Sequence, residues 1–300
     1  MSSGVVIRNW VPRLYNALGS IMPPCASEEC RQQSRILDRV RSSGTGIRVD
    51  ARWYCSPECF ERAMRDEFQL LLSEERSRQG SRMHRVPLGL LLMSHGAIDH
   101  AQLTAALEAQ RQAGKGRIGE WLGRIAGVNE DQITKALSDQ LCCPVLRSSS
   151  VSPQLAETVP VRLLEHYRMV PVHYSNSPRN MYIAFCDQVD HSVLYGVERM
   201  LQCRTQPCLI SDSTMERTLT RLRSTTRPDE VVFANNQSPS EMAKITRNYA
   251  AQLHADAAKV VACGEHVWVR LLRPRHIFNL LFQRGAGKLS GTGVRTSLWS

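Results

Sequence analysis

Residues 87–110 read PLGLLLMSHGAIDHAQLTAALEAQ, and residues 117–140 read RIGEWLGRIAGVNEDQITKALSDQ. The second stretch copies the first at an offset of 30 residues. The aligned pairs are Leu88 with Ile118, Gly89 with Gly119, Leu92 with Leu122, Ile98 with Val128, Leu103 with Ile133, Leu107 with Leu137, and Gln110 with Gln140. Two copies are too few for a solenoid. The pattern therefore predicts a duplicated helical hairpin that packs against itself, an arrangement that suits a ligand with two equal halves.

Each copy has the pattern of a helix–turn–helix unit. In the first copy, the leucines at positions 88, 91 and 92 fall on one face of a short helix. Gly96 then predicts a left-handed cap, and Asp99 predicts the N-cap of a second helix whose apolar stripe ends at Gln110. The second copy repeats this layout with Gly127 as its terminator and Asn129 as its N-cap.

Strands alternate with helices after residue 150, which is typical of a small α/β subdomain. The predicted strands are 168–174, 180–185, 205–210, 259–263 and 266–272. The predicted helices are 191–201, 213–222 and one that the capping box at 238–241 opens and that runs to about 253. Residues 224–240 predict a linker with room for a short strand, and the Gly-rich basic tail from Arg284 predicts disorder.

The fold class predicted from these patterns is α+β and mainly helical. A tandem helix–turn–helix repeat is followed by a small α/β subdomain, with a four-cysteine zinc-finger-like module before them and a small α/β unit after them. The predicted domains are a cysteine module at 1–80, a domain at 83–223 divided into the repeat (83–150) and the subdomain (151–223), a linker at 224–240, a C-terminal unit at 241–283 and a tail at 284–300.

The composition is that of an ordinary globular protein, with 42% hydrophobic and 22% charged residues. No stretch approaches the roughly 18 apolar residues that a membrane span needs, and the N-terminus lacks the layout of a signal peptide. We therefore expect a cytoplasmic protein without membrane insertion.

The net charge of +10 is carried almost wholly by arginine. Arginine contacts phosphates and carboxylates well, but basic blocks with interleaved aromatics, which mark a nucleic-acid groove, are missing from the sequence.

Four cysteines near the N-terminus have the layout of a metal site. Cys25, Cys30, Cys55 and Cys59 form C-x4-C and C-x3-C pairs separated by a loop, as in closed tetrahedral zinc sites. The second pair resembles the knuckle-plus-helix half of treble-clef zinc fingers, so we expect a structural Zn²⁺. The alternative interpretation is that these cysteines are buried or redox-active thiols. Disulfides are not expected, because the cytoplasm disfavours them.

The paired motifs resemble the tandem motif of the MshEN domain, which is the N-terminal domain of type II secretion and type IV pilus assembly ATPases. The resemblance extends over residues 86–223, since the later segments QLCCPVL, RLLEHYRMVPV and AFCDQVD are also similar. It implies binding of cyclic di-GMP, with one motif for each half of the dinucleotide, and a partner in the secretion or pilus machinery.

The site residues that this resemblance implies lie at matching positions of the two copies. They are Leu88, Gly89, Leu92, Gly96 and Gln110 in the first copy, and Arg117, Ile118, Gly119, Leu122 and Gln140 in the second. The family's first-position arginine is Pro87 in the first copy, with Arg85 two residues earlier. The family's glycine falls on Ala126 in the second copy. A repeat kept only for packing and partner docking is the alternative interpretation.

The sequence predicts a non-enzyme. The ATPase domain that follows this domain in the family is missing from the chain. GAGKLS at 285–290 has neither the earlier glycine nor the Ser/Thr after lysine that a P-loop needs. We therefore expect a regulatory or adaptor protein. A zinc-finger-bearing nucleic-acid-binding or transcription-associated protein is the alternative.

Overall fold

The structure is a computed structural model that describes residues 25–33, 46–74, 85–146, 153–225, 229–234, 237–274 and 276–284. Its helices are α1 (Glu28–Gln33), α2 (Pro57–Glu74), α3 (Leu88–Ser94), α4 (His100–Ala113), α5 (Ile118–Ala126), α6 (Glu130–Leu141), α7 (Pro153–Ala156), α8 (Val161–His166), α9 (His191–Leu201), α10 (Asp212–Thr225) and α11 (Pro239–Gln252). Its strands are β1 (Ile47–Val49), β2 (Arg52–Tyr54), β3 (Met169–Asn176), β4 (Arg179–Phe185), β5 (Arg204–Leu209), β6 (Glu230–Phe233), β7 (Ala257–Cys263), β8 (His266–Arg273) and β9 (His276–Gln283).

Six strands form one sheet in the order β2-β1-β7-β8-β9-β6. Strands β7, β8 and β9 make an antiparallel meander, while β1 runs parallel to β7 and β6 runs parallel to β9. The β1–β2 hairpin comes from the start of the described chain and the meander comes from its end. One sheet therefore joins the predicted cysteine module to the predicted C-terminal unit.

Helices α2 and α11 cover one face of this sheet. Alternate strand positions, such as Val269 and Phe282, point to this side and are buried against the two helices. The ring of Phe68 in α2 lies edge-on to that of Phe282, with 5.8 Å between centroids. Arg247 of α11 also pairs with Glu61 of α2, with 2.6 Å between Nη1 and Oε2. The helix that carries Cys59 is thus held by the C-terminal half of the chain.

The opposite face is covered by a three-stranded sheet, in the order β3-β4-β5, and by its helices. Trp268 and Leu281 point to this side and share a core with Phe185. Helix α9 lies close to β7 at Gly196, where an added Cβ would stand 2.7 Å from the carbonyl oxygen of Ala262. The close approach of helix and strand therefore requires glycine at this position.

A row of polar side chains crosses the same face and fixes the loop before α8. Buried Arg270 donates from Nη2 to the carbonyl oxygen of Thr158 at 2.5 Å and from Nε to Oδ1 of Asn279 at 3.3 Å. Burial lowers the pKa of this guanidinium to about 10. Glu230, which pairs with Asn279 in register, accepts the backbone N–H of Arg162 at 3.1 Å. Arg270 and Asn279 are buried and Glu230 is half-buried, and each of the three has a hydrogen-bond partner.

The predicted fold class is confirmed: the structure contains the helical repeat, the small α/β part, the N-terminal cysteine cluster and C-terminal strands. Every strand and helix predicted after residue 150 is present within a few residues of its expected bounds, whereas the β1–β2 hairpin and β9 were not predicted. The domain boundaries stay a prediction. The predicted tail lies outside the described residues except for Arg284. Among the helices of the described segments, none has both the length and the apolar character that a membrane span requires.

Candidate functional site

The tandem repeat folds as two matching helix–turn–helix units. Asp99 and Asn129 cap the second helix of each unit, and each forms a capping box with the glutamine three residues later. Gly96 and Gly127 adopt the left-handed conformation, with φ of +69° and +66°. These are the residue types and positions that the sequence predicts. The N-cap residues and the turn glycines therefore have the same structural roles in both copies.

The two motif glutamines make reciprocal contacts. Gln110, at the end of the first copy, donates from Nε2 to the carbonyl oxygen of Gly116 at 2.9 Å, just before the first helix of the second copy. Gln140, at the end of the second copy, donates to the carbonyl oxygen of Val86 at 2.6 Å, just before the first helix of the first copy. Each copy thus holds the start of the other, which gives the pair a local two-fold relation.

Six of the ten nominated residues lie in the core between the repeat helices: Leu88, Gly89, Leu92, Ile118, Gly119 and Leu122. A Cβ on Gly89 would stand 2.5 Å from Cδ1 of Leu103, and one on Gly119 would stand 3.3 Å from Cγ2 of Ile133. Both glycines therefore allow the two helices of their own copy to approach. Gly96 is exposed, and a Cβ there would have no atom within 4 Å.

Arg117 lies at the N-cap of α5 and extends toward the α/β part of the chain. Its Nη1 atom is 3.2 Å from Oδ2 of Asp187 and 3.3 Å from Oδ1 of Asp212. Asp212 is also paired with Arg168, with 2.5 Å to Nη2. Burial opposes ionisation of Asp212, but the two arginines outweigh it and keep the pKa of this carboxyl below its usual value. Arg168 makes a further pair with Glu216 at 3.5 Å.

A cleft of about 350 Å³ lies beside the start of the first copy. Its lining includes Arg85, Asp139, Gln140, Val189 and His191. The turn between β4 and α9 carries both Val189, which lines this cleft, and Asp187, which pairs with Arg117. Of the nominated residues, the structure brings Gln140 to the cleft together with Arg85, while Arg117 faces carboxylates. In the sequence, the only sign that Arg85 belongs to the lining of this cleft is its position two residues before Pro87.

The four nominated cysteines meet at one point. Their Sγ atoms all lie within 4.8 Å of one another, and those of Cys30 and Cys55 are 3.5 Å apart. Four thiolates at about 2.3 Å from a tetrahedral ion would be about 3.8 Å apart, so the cluster has the size that such an ion needs. Cys25 and Cys59 are buried, and the other two are half-buried. The cysteine cluster can therefore hold a metal ion.

Local hydrogen bonds explain why the cysteine cluster forms. The backbone N–H of Ala26 donates to the carbonyl oxygen of Trp53 at 2.7 Å, which brings the Cys25 segment to the β1–β2 hairpin. The Ser56 hydroxyl accepts the backbone N–H of Cys59 at 3.3 Å and so begins α2 with Cys59 in its first turn. The turn from the hairpin into α2 thus supplies one pair of cysteines, and the segment that docks on the hairpin supplies the other pair.

A buried histidine, His266, lies at the β7–β8 turn, and the sequence did not predict its partners. Nδ1 of His266 is 3.0 Å from the hydroxyl of Tyr167, which also accepts the backbone N–H of Glu265 at 2.6 Å. His166 packs edge-on against His266, with 4.7 Å between centroids. Burial, helped by the neighbouring His166, lowers the pKa of His266 to about 4. Only the fold reveals this cluster, because its residues are about 100 positions apart in the chain.

The MshEN domain family model matches residues 143–229. A structure described as MshE with cdg is 25% identical, covers 46% of this chain and 99% of its own, and has a TM-score of 0.39. Two structures of the N-terminal domain of XpsE are 15% and 16% identical, cover 46% and 43% of this chain and 98% and 90% of their own, and have TM-scores of 0.36 and 0.28. No curated protein matches the chain.

The family match begins at Cys143, after the tandem repeat, so all ten nominated ligand residues precede it. Within it lie β3 to β5, α9 and α10, together with the partners of Arg117. The resemblance in the sequence of the repeats stays a prediction for residues 86–142. Residues 143–229 of this chain are matched to the MshEN domain family.

Proposed function

We propose that this chain is a non-catalytic regulatory or adaptor protein of the cytoplasm whose tandem repeat binds cyclic di-GMP. The observation that carries the proposal is the reciprocal glutamine contact, in which Gln110 and Gln140 each hold the start of the opposite copy. A duplicated site with a local two-fold relation is complementary to a dinucleotide of two equal halves. The MshEN match in the adjoining residues 143–229 supports the same ligand.

The proposed contacts divide between the two copies. In the second copy Arg117 supplies the cation, since a guanidinium can pair with phosphate or with a guanine edge. In the first copy Arg85 takes the place of the arginine that Pro87 replaces, because it lines the cleft that Gln140 also lines. The buried leucines and glycines of both motifs hold the helices in place for these contacts, and Gly96 leaves its turn open to a ligand.

Docking on secretion or pilus machinery is the second component of the proposal. If the repeat is kept for packing alone, docking is the function that remains.

The nucleic-acid alternative has less support. Around the cysteine cluster, Arg62 is paired with Glu29, and Arg247 is paired with Glu61. An arginine that is paired with a carboxylate attracts a phosphate less strongly than an unpaired arginine does.

We also propose that the four cysteines hold a structural Zn²⁺. When bound, the ion supplies a fixed tetrahedral junction between the Cys25 segment, the β1–β2 hairpin and α2. The fit of the cluster to tetrahedral spacing and the burial of Cys25 and Cys59 support this role.

Isothermal titration with cyclic di-GMP tests the main proposal, using the whole chain and two arginine variants. Arg117→Ala should weaken binding by about one to two decades, because a lost charge-assisted hydrogen bond costs about 1.5–3 kcal/mol. Arg124→Ala is the matched control, since Arg124 lies on the same helix but packs over the ring of Trp121 at 5.3 Å. Its Kd should equal that of the wild type.

Two results would contradict the proposal. The wild-type chain could give no heat with millimolar cyclic di-GMP, which would leave docking as the function. Alternatively, the two arginine variants could lose affinity equally, which would show a general charge effect rather than a site at Arg117.

A further inference from the structure

The side chain of Arg117 forms ion pairs with carboxylates of the same chain. One nitrogen, Nη1, lies between Asp187 and Asp212, which follow β4 and begin α10 respectively. The five directly paired groups are Arg117, Arg168, Asp187, Asp212 and Glu216, so the cluster carries three carboxylates and two guanidinium groups. Its formal charge is negative. A dinucleotide with two phosphates gains no net attraction from such a cluster.

Both aspartates keep a partner when Arg117 leaves. Asp212 stays paired with Arg168 at 2.5 Å. Asp187 accepts the backbone N–H of Gln188 on Oδ1 at 2.7 Å, while its Oδ2 faces Arg117. The side chains of Arg117, Asp187 and Asp212 are 40%, 27% and 50% exposed, so water can replace the lost contacts. Ion pairs that are this exposed contribute little to stability, and exchange of Arg117 between partners therefore costs little.

We propose that Asp187 and Asp212 act as a built-in competitor for Arg117, so that an anionic ligand on the second repeat must displace them from Nη1. This inference rests on the proposed binding of cyclic di-GMP at the repeat. It makes the acidic turn after β4 a determinant of affinity, although the turn lies in the MshEN segment and outside the tandem motif. The competitor raises the ligand concentration that half-fills the site.

Asp187→Asn isolates this competition. Asparagine keeps an oxygen for the N–H of Gln188, so the turn retains its hydrogen bond, and only the charge facing Arg117 is lost. Asp212 is unsuitable because its removal would also leave Arg168 without this carboxylate. Glu120→Gln is the matched control. It removes one negative charge three residues from Arg117, and no ion pair of Glu120 occurs within the described parts of the chain.

Titration of the whole chain with cyclic di-GMP should give a Kd about two- to fivefold lower for Asp187→Asn than for the wild type. Glu120→Gln should leave the Kd unchanged. Unchanged melting temperatures would show that both variants are folded.

Three results would overturn the inference. Equal Kd values for the wild type and Asp187→Asn would reject the competitor and leave the proposed function standing. Weaker binding by Asp187→Asn would show instead that the carboxylate orients Arg117. No binding by either protein would reject the proposed function together with the inference.

Discussion

Gly89 and Gly119 occupy equivalent positions in the two repeats, and each is contacted by a side chain from the second helix of its own copy. A glycine that allows helix packing and a glycine that lets a ligand approach have the same requirement, which is the absence of a Cβ. Sequence alone therefore cannot separate the two uses. The distances to Leu103 and Ile133 show that packing is sufficient to explain both glycines.

The His266 cluster predicts a pH-dependent loss of stability. Because burial lowers the pKa of His266 to about 4, the unfolded chain, with a pKa near 6.5, binds a proton that the folded chain does not. Stability is therefore complete above pH 6.5 and declines as the pH falls toward 4. This residue should account for a loss of about 2 kcal/mol by pH 5.

Urea unfolding of the wild type and His266→Asn at pH 7, 6 and 5 measures this loss. Asparagine places a polar atom near the position of Nδ1 and can still contact Tyr167, but it does not titrate. The wild type should lose more unfolding free energy than the variant on acidification. Parallel curves for the two proteins would show that His266 is protonated in the folded state near its ordinary pKa.

Helix α9 illustrates how a single element joins the two sheets. We expect Gly196→Ala to lower the free energy of unfolding by roughly 1–3 kcal/mol. The new Cβ would stand 2.7 Å from the carbonyl oxygen of Ala262, and backbone cannot move aside as a side chain can. Thermal or urea unfolding measures the change.

Gly123→Ala is the control for Gly196→Ala, because it makes the same change inside helix α5. Its nearest neighbour would be the carbonyl oxygen of Val128 at 3.4 Å, an ordinary contact. The gain in helix propensity should leave this variant as stable as the wild type or more stable by up to about 1 kcal/mol. Equal stability of the two variants would mean that α9 does not pack tightly on β7.

The elements that the sequence predicted well are those defined by local signals. The caps at Asp99 and Asn129 and the apolar stripes after them specify the repeat helices within a few residues. The β1–β2 hairpin and β9 were not predicted, although β1 pairs with β2 and β9 pairs with β8 across short turns. Strand β1 pairs with β7, so its assignment depends on residues about 200 positions away.

The candidate sites follow the same division. The cysteine spacing predicted a cluster that the structure does bring together. The acidic partners of Arg117 were not predicted, because the approach of Asp187 and Asp212 depends on how the repeat packs against the α/β part. That packing uses Leu137 and Leu141 of α6, which contact the core of the α/β part, and Leu137 also packs against the core of the repeat.

At the scale of the whole molecule, the cysteine cluster lies where the two ends of the described chain meet. Cys55 follows β2 and Cys59 lies in the first turn of α2, while β1 pairs with β7 and α2 packs against α11. A metal ion there would hold the Cys25 segment, the hairpin and α2 to each other, and the hairpin and α2 in turn contact the meander and α11. Its removal should therefore affect the six-stranded sheet more than the tandem repeat, whose core is separate.

We expect the purified chain to contain one zinc ion, measured by elemental analysis, and Cys55→Ser to lose it. The apparent binding free energy of structural zinc in small domains is about 10–16 kcal/mol, although part of the fold here has its own core. We expect the melting temperature to fall by roughly 10 °C or more. Hydrogen exchange should increase in residues 46–74 and 257–263 before it increases in residues 88–141.

Cys142→Ser is the matched control for this experiment, since Cys142 is an exposed cysteine outside the cluster. Cys142→Ser should retain the metal and the melting temperature of the wild type. A chelator should lower the melting temperature of the wild type and of Cys142→Ser as Cys55→Ser does. A wild-type chain that is purified under reducing conditions without metal, and whose melting temperature does not rise when zinc is added, would reduce the cluster to four packed thiols. In that case the hairpin would be held to the meander by the pairing of β1 with β7 and the core around Phe68 alone.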